Sequence, residues 1–487
     1  MLNVNFLELY HLLLMQKLDR EQVLYLCRTN PEAAVELILN LSEKNEEFEE
    51  RIKVLENQLS QNSSNSSKLP SSDGLKKQTK SLRKKSGRSV GCQKGRRGVT
   101  LRQVNKPDDI VNHTVATCQK CQRSLKSQPV DGHEKRQVFD IPPVEIKVTE
   151  HQAEIKICSH CSSVNKASFP PSVSQPVQYG PNLKAHAVYL TVRQHLPYKR
   201  TAELFRDFFG AEISPATIFK ANKECSILLE EPVNDIKEQI TASDVVHLDE
   251  SGIRCVQKNH WVHSAGTPTL TYYMIHEKRG SEAMDAAGIL PGFNGRAVHD
   301  HLKSYFKYLC SHGLCNAHHL RELTFLVEHE QQAWAQSMID LLLDAKKAVD
   351  RAKAAAKVCL SDEALKAFVR RYRRIVQQSL NANPDRDPMR KRKKYTKAQK
   401  LLRQPGDFEE PTLVFLFDFR VPFDNNQAER DIYMLKLQQK ISGCFRTKKG
   451  ADMFCIIRSY ISTAIKQNRN IASLLKIAFE DAPVALV

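Results

Sequence analysis

Short strand-like runs that lead into acidic residues alternate with helical runs between residues 244 and 300. The run Asp244–Leu248 is rich in β-branched residues and precedes Asp249, and the short strand-like run Ala297–His299 is closed by Asp300. Between them lie two more strand-like runs and a helical one, at 260–264, at 270–276 and from about residue 281. Strands that alternate with helices, several of them linked as hairpins, predict a mixed α/β sheet.

A third acid, Glu429, lies on a predicted helix near the end of the chain. Asp424, Asn425 and Asn426 are good helix N-cap residues, so the helix should begin near Asn425 and end at about Gly443. Its buried stripe is Ala428, Ile432 and Leu435, and its neighbouring face carries Glu429, Tyr433, Lys436 and Lys440. A capped amphipathic helix with an ion-paired Glu would have the same pattern.

The three acids together indicate more than each does alone. An Asp at the end of a strand is more often a turn former than a catalyst. Asp249 and Asp300 are predicted at one edge of the sheet, and with Glu429 they form the kind of carboxylate set that builds a two-metal phosphoryl-transfer site. Glu250 is excluded, because neighbouring side chains of a strand point to opposite faces.

The charge of the chain favours a polyanionic partner. Lys and Arg exceed Asp and Glu by 73 to 55, a net charge of +18, and residues 76–106 carry twelve basic residues and no acid. Such a run is typical of a phosphate-binding arm or of a solvated flexible segment. No apolar stretch is long enough for a membrane span, and no basic segment precedes the short apolar run at the N-terminus, so no membrane partner is expected.

Four of the thirteen cysteines form two Cys-x-x-Cys knuckles, Cys118 with Cys121 and Cys158 with Cys161. Three strand-like runs, 137–141, 144–148 and 153–157, separate them and would bring the knuckles together as a zinc ribbon. Redox-active pairs are the alternative. Four thiolates leave no vacant position for water, so this zinc would be structural. The remaining cysteines occur singly, as small core residues do in a reducing compartment.

Several further segments have recognisable patterns. Residues 38–59 have a heptad-like repeat with Asn45 at a core position, which predicts a short self-associating coiled coil or an amphipathic helix packed on its own domain. A flexible linker follows at 61–74. Two helices, Thr201–Phe209 and one capped by Ser214, have helix-turn-helix spacing. Residues 330–404 are almost wholly helical, and Thr412–Phe419 is strand-like, so the helical block is interpreted as an insertion in the α/β domain.

Several longer motifs occur in a fixed order along the chain. They are the NSS-rich linker, the paired knuckles, HLDESG at 247–252, VHD at 298–300, LCNAHHLREL at 314–323, VPFDNNQAERD at 421–431, KISGCFR at 440–446 and SYIST at 459–463. On these motifs the sequence resembles the insertion-sequence-sixty-six family of bacterial transposases (TnpC type) over nearly its whole length.

The resemblance implies a ribonuclease H-like catalytic domain with a helical insertion, and Asp249, Asp300 and Glu429 as its acidic triad. The domains expected are a helical or coiled-coil segment (1–62), a flexible basic linker (63–110), a zinc-binding ribbon (111–175), a helix-turn-helix-like DNA-binding region (176–238) and the catalytic domain (239–487, insertion at about 330–404). Leu69, Arg96 and Tyr433 depart from the family pattern, which has Pro, His and Arg at these places. Only Tyr433 shares a face with Glu429.

The expected activity is Mg²⁺-dependent 3′-end cleavage of an insertion element and strand transfer into target DNA. Asp249 would bridge two Mg²⁺ ions, and Asp300 and Glu429 would each complete the shell of one. The expected phosphate contacts are Lys436, Lys440, Arg446, Lys448 and Lys449. A second zinc site at Cys315, His318 and His319 is disfavoured, since the two histidines cannot share one helical face well.

Two other functions are compatible with the same sequence. A catalytically inactive DNA-binding protein, acting as a repressor or end-binding factor, would keep the zipper, zinc ribbon and helix pair, and a plain nuclease would use the same acids without joining strands. The partners expected are the terminal inverted repeats, target DNA, further copies of the chain and small accessory proteins encoded with it. The expected location is the bacterial cytoplasm, in association with the nucleoid.

Overall fold

The computed structural model describes residues 20–61, 65, 100–142, 144–383 and 409–486. Most of the expected linker and basic run, the departures at Leu69 and Arg96, and the basic residues 390–394 lie outside the described residues. The chain divides into two compact units. The first comprises residues 1–81, 243–248 and 293–427, and the second comprises residues 82–242, 249–292 and 428–487.

A five-stranded mixed sheet confirms the predicted α/β architecture. Its strands are β3 (Val245–Cys255), β4 (Lys258–Gly266), β5 (Thr271–His276), β6 (Arg296–His299) and β7 (Ser311–Leu314), in the order β5-β4-β3-β6-β7. A separate two-stranded sheet pairs β1 (Ile155–Ile157) with β2 (Val164–Lys166). The sequence predicted that Asp249 lies at the end of a strand. In the structure β3 continues past Asp249 to Cys255, so Asp249 lies within the strand.

The first unit contains three parallel strands and six of the described α-helices. Val245–His247 pairs with Arg296–Val298, and β6 pairs in parallel with β7. The helices are α1 (Arg20–Thr29), α2 (Pro31–Ser60), α8 (Asn316–Glu330), α9 (Ala333–Ala354), α10 (Asp362–Ala382) and α11 (Glu409–Phe417). The predicted stripe Trp334, Met338, Leu341 and Leu342 is buried with Phe325, Tyr372 and Leu416 in a common apolar core.

The predicted strand Thr412–Phe419 is wrong, because residues 412–417 form the greater part of α11 and the last two residues lie beyond its end. A short, continuously apolar run fits a buried helix as well as a buried strand, and periodicity cannot separate the two. Thr412, Leu413, Val414, Phe415 and Leu416 are all buried, so no polar face was present to reveal a helical period.

The heptad-like stripe of α2 faces solvent in this single chain. Ile38, Phe48 and Ile52 are 62%, 60% and 54% exposed, and Leu59 is 81% exposed. The Asn45 amide donates to the Glu49 carboxylate one turn later. The helix itself is therefore confirmed, whereas pairing with a second helix remains a prediction.

The second unit contains most of the remaining helices and the β4–β5 hairpin. The helices are α3 (Pro181–Val188), which continues as a π turn (Tyr189–Arg193), α4 (Tyr198–Phe209), α5 (Pro215–Leu228), α6 (Glu230–Thr241), α7 (Ser281–Ala287), α12 (Asn426–Ser442), α13 (Lys448–Lys466) and α14 (Ile471–Glu480). Helix α12 begins with the last two residues of the first unit. The predicted hairpin, the helix from Ser281 and the limits of α12 are confirmed.

Helix α13 packs directly on β5 through hydroxyl groups. Ser459 Oγ and Thr463 Oγ1 accept the backbone N–H groups of Tyr273 and Thr271, at 2.9 and 3.0 Å. These bonds satisfy buried strand groups that have no water to bond. The SYIST motif is therefore part of the core of this unit.

The predicted helix pair is confirmed in α4 and α5. Gly210 ends α4 with a left-handed φ of 60°, which glycine adopts without the steric cost of a Cβ. Ser214 caps α5 by accepting the N–H of Thr217 at 3.1 Å, and Phe205 and Ile218 share an apolar core. DNA reading by this pair remains a prediction.

Two of the strands predicted between the cysteine knuckles do not form. Residues 137–141 and 144–148 are irregular, and Val138 and Val148 are 92% and 86% exposed. The third run forms only as β1, and its partner β2 lies beyond the second knuckle. β-branched residues favour a strand only where a neighbouring strand packs on them.

Candidate functional site

The first half of β3 and the carboxyl ends of β6 and β7 carry most of the residues of interest. The backbone N–H of Cys315, which follows β7, donates to the oxygen of His299 at 3.0 Å. The backbone N–H of Asn316 donates to the oxygen of Phe423 at 3.1 Å, which ties the segment before α12 to the start of α8. Backbone hydrogen bonds therefore join the end of β6, the start of α8 and the segment before α12 within the first unit.

Asn425 fixes the start of α12 to the first half of β3. Its side-chain amide donates to Leu248 O at 2.8 Å and accepts from His247 Nδ1 at 2.8 Å. Its backbone N–H donates to Cys315 Sγ at 3.1 Å, and the residue is only 2% exposed. The sequence predicted Asn425 as a helix cap, but its side chain bonds to the strand, and Asp424 Oδ1 accepts the N–H of Asn426.

Asp249 lies in β3 directly after Leu248 and is half-buried. One of its carboxylate oxygens accepts the backbone N–H of Glu250 at 2.9 Å. Glu250 is fully buried and makes an ion pair with Arg279 at 2.7 Å, and that guanidinium lies over the ring of Trp261. The exclusion of Glu250 is consistent with this pairing, which commits its carboxylate to a structural contact.

Asp300 directly follows β6 and is half-buried. Its Oδ1 accepts the backbone N–H of Leu302 at 3.1 Å, which closes a turn around His301. His301 has a left-handed φ of 79°, a conformation that costs a non-glycine residue about 1–3 kcal/mol. The turn that contains Asp300 therefore includes one residue, His301, in an unfavourable backbone conformation.

Glu429 lies in the first turn of α12 and is half-buried. A carboxylate at a helix N-terminus is stabilised by the helix dipole. The predicted stripe Ala428, Ile432 and Leu435 is buried, which confirms the orientation of the helix. Asp431 fixes it further through a 2.8 Å ion pair with Lys466, whose side chain is also buried.

The predicted phosphate-binding residues differ in exposure. Lys440, Arg446, Lys448 and Lys449 are exposed. Lys436 is half-buried, its ammonium donates to Gly252 O, and burial lowers its pKa. Phe445 forms a parallel bridge with Cys255, the last residue of β3. This bridge anchors the basic segment that follows, which consists of Arg446 and the first residues of α13, Lys448 and Lys449. Four of the five residues are therefore accessible to a phosphate, and Lys436 is mainly engaged with the strand.

The two cysteine knuckles have the same backbone geometry. Cys118 N donates to Arg123 O at 2.8 Å and Cys158 N donates to Ser163 O at 2.9 Å. Gln122 and Ser162, each directly after the second cysteine, both have a left-handed φ of 56°. Within the described part of the chain, the knuckles are not gathered into one four-sulfur group.

Local hydrogen bonds prepare two of these thiols for metal binding. The backbone N–H of Cys121 lowers the pKa of Cys118, and the Ser163 hydroxyl, 3.1 Å from Cys161 Sγ, lowers the pKa of Cys161. The thiolate is the form that binds zinc. Four sulfur donors and these knuckle turns fit a structural zinc site.

Comparison with protein families gives the identity of the larger part of the chain. Residues 176–453, more than half of the chain, match the model described as the transposase IS66 family. The chain belongs to this family. Residues 116–162 match the zinc-finger binding domain of transposase IS66, and residues 24–102 match a family of unknown function. No curated protein matches the sequence.

These matches confirm the predicted family and support a transposase role. The zinc-finger match contains all four knuckle cysteines and supports structural zinc. Together the two matches support DNA as the partner of this IS66-family transposase. Among the described helices, none combines the length and the apolar content that crossing a bilayer requires.

Proposed function

We propose that the chain is an active DNA transposase that cuts the 3′ ends of an insertion element and joins them to target DNA. The observation that carries the proposal is the attachment of Asn425 to Leu248 and Cys315. Each proposed catalytic acid follows an anchored residue closely: Asp249 follows Leu248, Asp300 follows His299, and Glu429 lies about one helical turn after Asn425.

The strand register supports the same set of acids. His247 pairs with Val298 in the parallel β3–β6 ladder. Asp249 lies two residues after His247 in the sequence, and Asp300 lies two residues after Val298. A strand order with an antiparallel hairpin on one side and two parallel strands on the other is compatible with the proposed ribonuclease H-like fold.

The three carboxylates fit Mg²⁺, which prefers oxygen ligands. Asp249, Asp300 and Glu429 would hold the Mg²⁺ ions. Bound Mg²⁺ makes water or a 3′-hydroxyl a better nucleophile and offsets charge on the phosphate. No side chain need become covalently attached to DNA, so the task of the protein is to hold the carboxylates and the DNA in place.

Positive charge supplies the second part of this task. Lys440, Arg446, Lys448 and Lys449 would contact phosphates, and the basic run at 76–106 would add sequence-independent affinity. Lys436 would contribute indirectly, because its ammonium is bonded to Gly252 O in β3. The zinc-finger domain and the helix pair are the proposed sites for recognition of the terminal inverted repeats.

The assembly is proposed to contain more than one copy of the chain. The solvent-facing stripe of α2 supports coiled-coil pairing. The proposal keeps the domain boundaries predicted from the sequence. It also includes small accessory proteins as partners and an association with the bacterial nucleoid.

One departure from the family pattern favours a second candidate. Tyr433 stands where an Arg is expected, on the face that carries Glu429, and it is 59% exposed. A missing cation near the acids would weaken a phosphate contact. The alternative is therefore a DNA-binding protein without catalysis, acting as a repressor or end-binding factor.

Cleavage and joining of labelled element-end DNA with Mg²⁺ separates the two candidates. The wild type should cut and join, and Asp249→Asn, Asp300→Asn and Glu429→Gln should bind DNA with matched affinity but do neither. Asp244→Asn, which removes an exposed carboxylate paired with Arg420, should stay active. Tight binding by the wild type without cutting or joining, even with cell extract added, would support the DNA-binding candidate instead.

A further inference from the structure

Two histidine rings connect the turn after β6 to the chain before β7. His301 N lies 3.2 Å from His299 Nδ1, and His299 Nε2 lies 3.1 Å from His312 Nδ1. His312 Nε2 then lies 3.2 Å from Tyr308 O. A continuous row of three hydrogen bonds thus runs through both rings between two backbone groups.

The two ends of this row determine the protonation of both rings. A backbone N–H can only donate, so His299 Nδ1 must accept, and the neutral ring carries its proton on Nε2. That proton is donated to His312 Nδ1, which leaves the His312 proton on Nε2, where Tyr308 O accepts it. An imidazolium at either position would break the row, because both of its nitrogens donate.

Packing keeps the rings in this arrangement. His299 is fully buried, and its ring stacks on Tyr305 with centroids 4.4 Å apart. The ring of Phe306 contacts both His299 and His312, at 5.1 and 4.8 Å between centroids. The His299 and His312 rings themselves meet edge to face, with centroids 5.2 Å apart.

The row acts on the residues on either side of Asp300. His299 O is fixed by the N–H of Cys315, and His301 N is fixed by the His299 ring. His301 is the residue with the left-handed backbone that closes the turn around the Asp300 carboxylate. Without an acceptor for its N–H, that costly conformation would lose one of its supports.

We propose that His299 and His312 are positioning residues that hold Asp300 in its metal-binding orientation through this fixed-tautomer row. The inference rests on the proposed function, in which Asp300 is a ligand of Mg²⁺. Groups that orient a metal ligand commonly change metal affinity or activity by about 10- to 100-fold when they are removed. The two histidines are therefore expected to affect how the protein uses Mg²⁺ without touching DNA or metal.

Nitrogen NMR of the ¹⁵N-histidine-labelled full-length protein tests the row without any activity measurement. Signals of the two rings are assigned by their disappearance in His299→Asn and His312→Asn. At neutral pH both rings should be neutral and protonated on Nε2. A ring protonated on Nδ1, or a doubly protonated ring, at either position would overturn the proposal.

Two substitutions of His312 test its effect on the metal. His312→Phe keeps an aromatic ring beside Phe306 but removes the acceptor, whereas His312→Asn is smaller and keeps an acceptor oxygen near the Nδ1 position. The Mg²⁺ concentration for half-maximal cleavage should rise roughly tenfold in His312→Phe and stay close to the wild-type value in His312→Asn. DNA affinity should be unchanged in both.

The outcomes distinguish the row from simple packing and from a failed functional proposal. Wild-type Mg²⁺ dependence in His312→Phe would overturn the row, as would equal losses of stability and activity in both variants. Asp300→Asn serves as the reference. If it cleaves like the wild type, the proposed function fails, and the NMR result still decides whether the row exists.

Discussion

The side-chain amide of Asn425 donates a 2.8 Å hydrogen bond to the backbone oxygen of Leu248, the residue before Asp249. The same side chain accepts from His247, and the backbone N–H of Asn425 is bonded to Cys315. One buried residue thus connects the strand that carries the first proposed acid to the helix that carries the third.

Replacing Asn425 by Ala should destabilise the protein and impair cleavage. Leu248 O and His247 Nδ1 would each lose a bonding partner in a buried place, at a cost of about 1–3 kcal/mol in the free energy of unfolding. Urea unfolding and DNA cleavage measure the two effects. Asn426→Ala, one residue further along, should alter both much less. Equal behaviour of the two variants would show that the Asn425 bonds do not matter.

The ion pair between Asp431 and Lys466 should be a major support of α12. The side chains of Lys466 and Asp431 are 10% and 12% exposed, and Lys466 also donates to Thr267 O and Leu270 O. Asp431→Asn would leave the ammonium without its counter-charge and should lower the free energy of unfolding by about 2–4 kcal/mol. Adding Lys466→Met should restore part of the lost stability. A double variant whose loss equals the sum of the two single-variant losses would contradict the pairing.

Acid should destabilise the fold through His195. Burial lowers the pKa of this ring to about 4, and the positive charge of Arg458 adds to the effect. Between about pH 6.5 and pH 4 the unfolded chain binds a proton that the folded chain does not. The stability contributed by neutral His195 is thus complete above that window and is lost as the pH falls through it.

His195→Asn provides the matched variant for this prediction. Asn tolerates the left-handed φ of 60° found at this position and can still donate to Gln438, which the His195 ring contacts at 3.0 Å. The pH dependence of unfolding should be shallower in the variant, by up to about 1.4 kcal/mol per pH unit. Parallel curves for the two proteins between pH 6.5 and 4 would refute the assignment.

Zinc content should depend on all four knuckle cysteines. Single substitutions of Cys118, Cys121, Cys158 or Cys161 by Ser should each lower the zinc measured by mass spectrometry of the purified protein. Cys359→Ser is the control, because Cys359 is also exposed but lies outside the knuckles. Full zinc content in a knuckle variant would exclude that cysteine as a ligand.

Much of the fold could be predicted because its signals are local. The caps and turn residues around Gly210, Ser214 and Asn425 identified the ends of helices, and the strand-like runs at 260–264 and 270–276 identified the hairpin. Strand β7, with only four residues and a central glycine, had too weak a pattern to be found. Helix α11 was missed because its buried run has no polar face.

The positioning contacts of the candidate site could not be predicted from the sequence. Asn425 looks like any helix cap, and only the folded chain brings it to Leu248, 177 positions away. His299 lies within the VHD motif, but nothing in that motif indicates a bond to His312, and the row exists because β6 and β7 pair in a particular register. By contrast, the three acids were proposed from the residues that surround them in the sequence, and their role remains a prediction.

Metal-dependent cleavage by cysteine variants tests the central claim most directly. Asp249→Cys, Asp300→Cys and Glu429→Cys each replace an oxygen ligand by sulfur, which Mg²⁺ accepts poorly and softer Mn²⁺ accepts better. Each variant should be inactive on element-end DNA with Mg²⁺ and regain part of its cleavage with Mn²⁺, whereas the corresponding Ala variants should be inactive with both ions. Wild-type cleavage with Mg²⁺ by any of the three cysteine variants would contradict a role for that acid as a metal ligand.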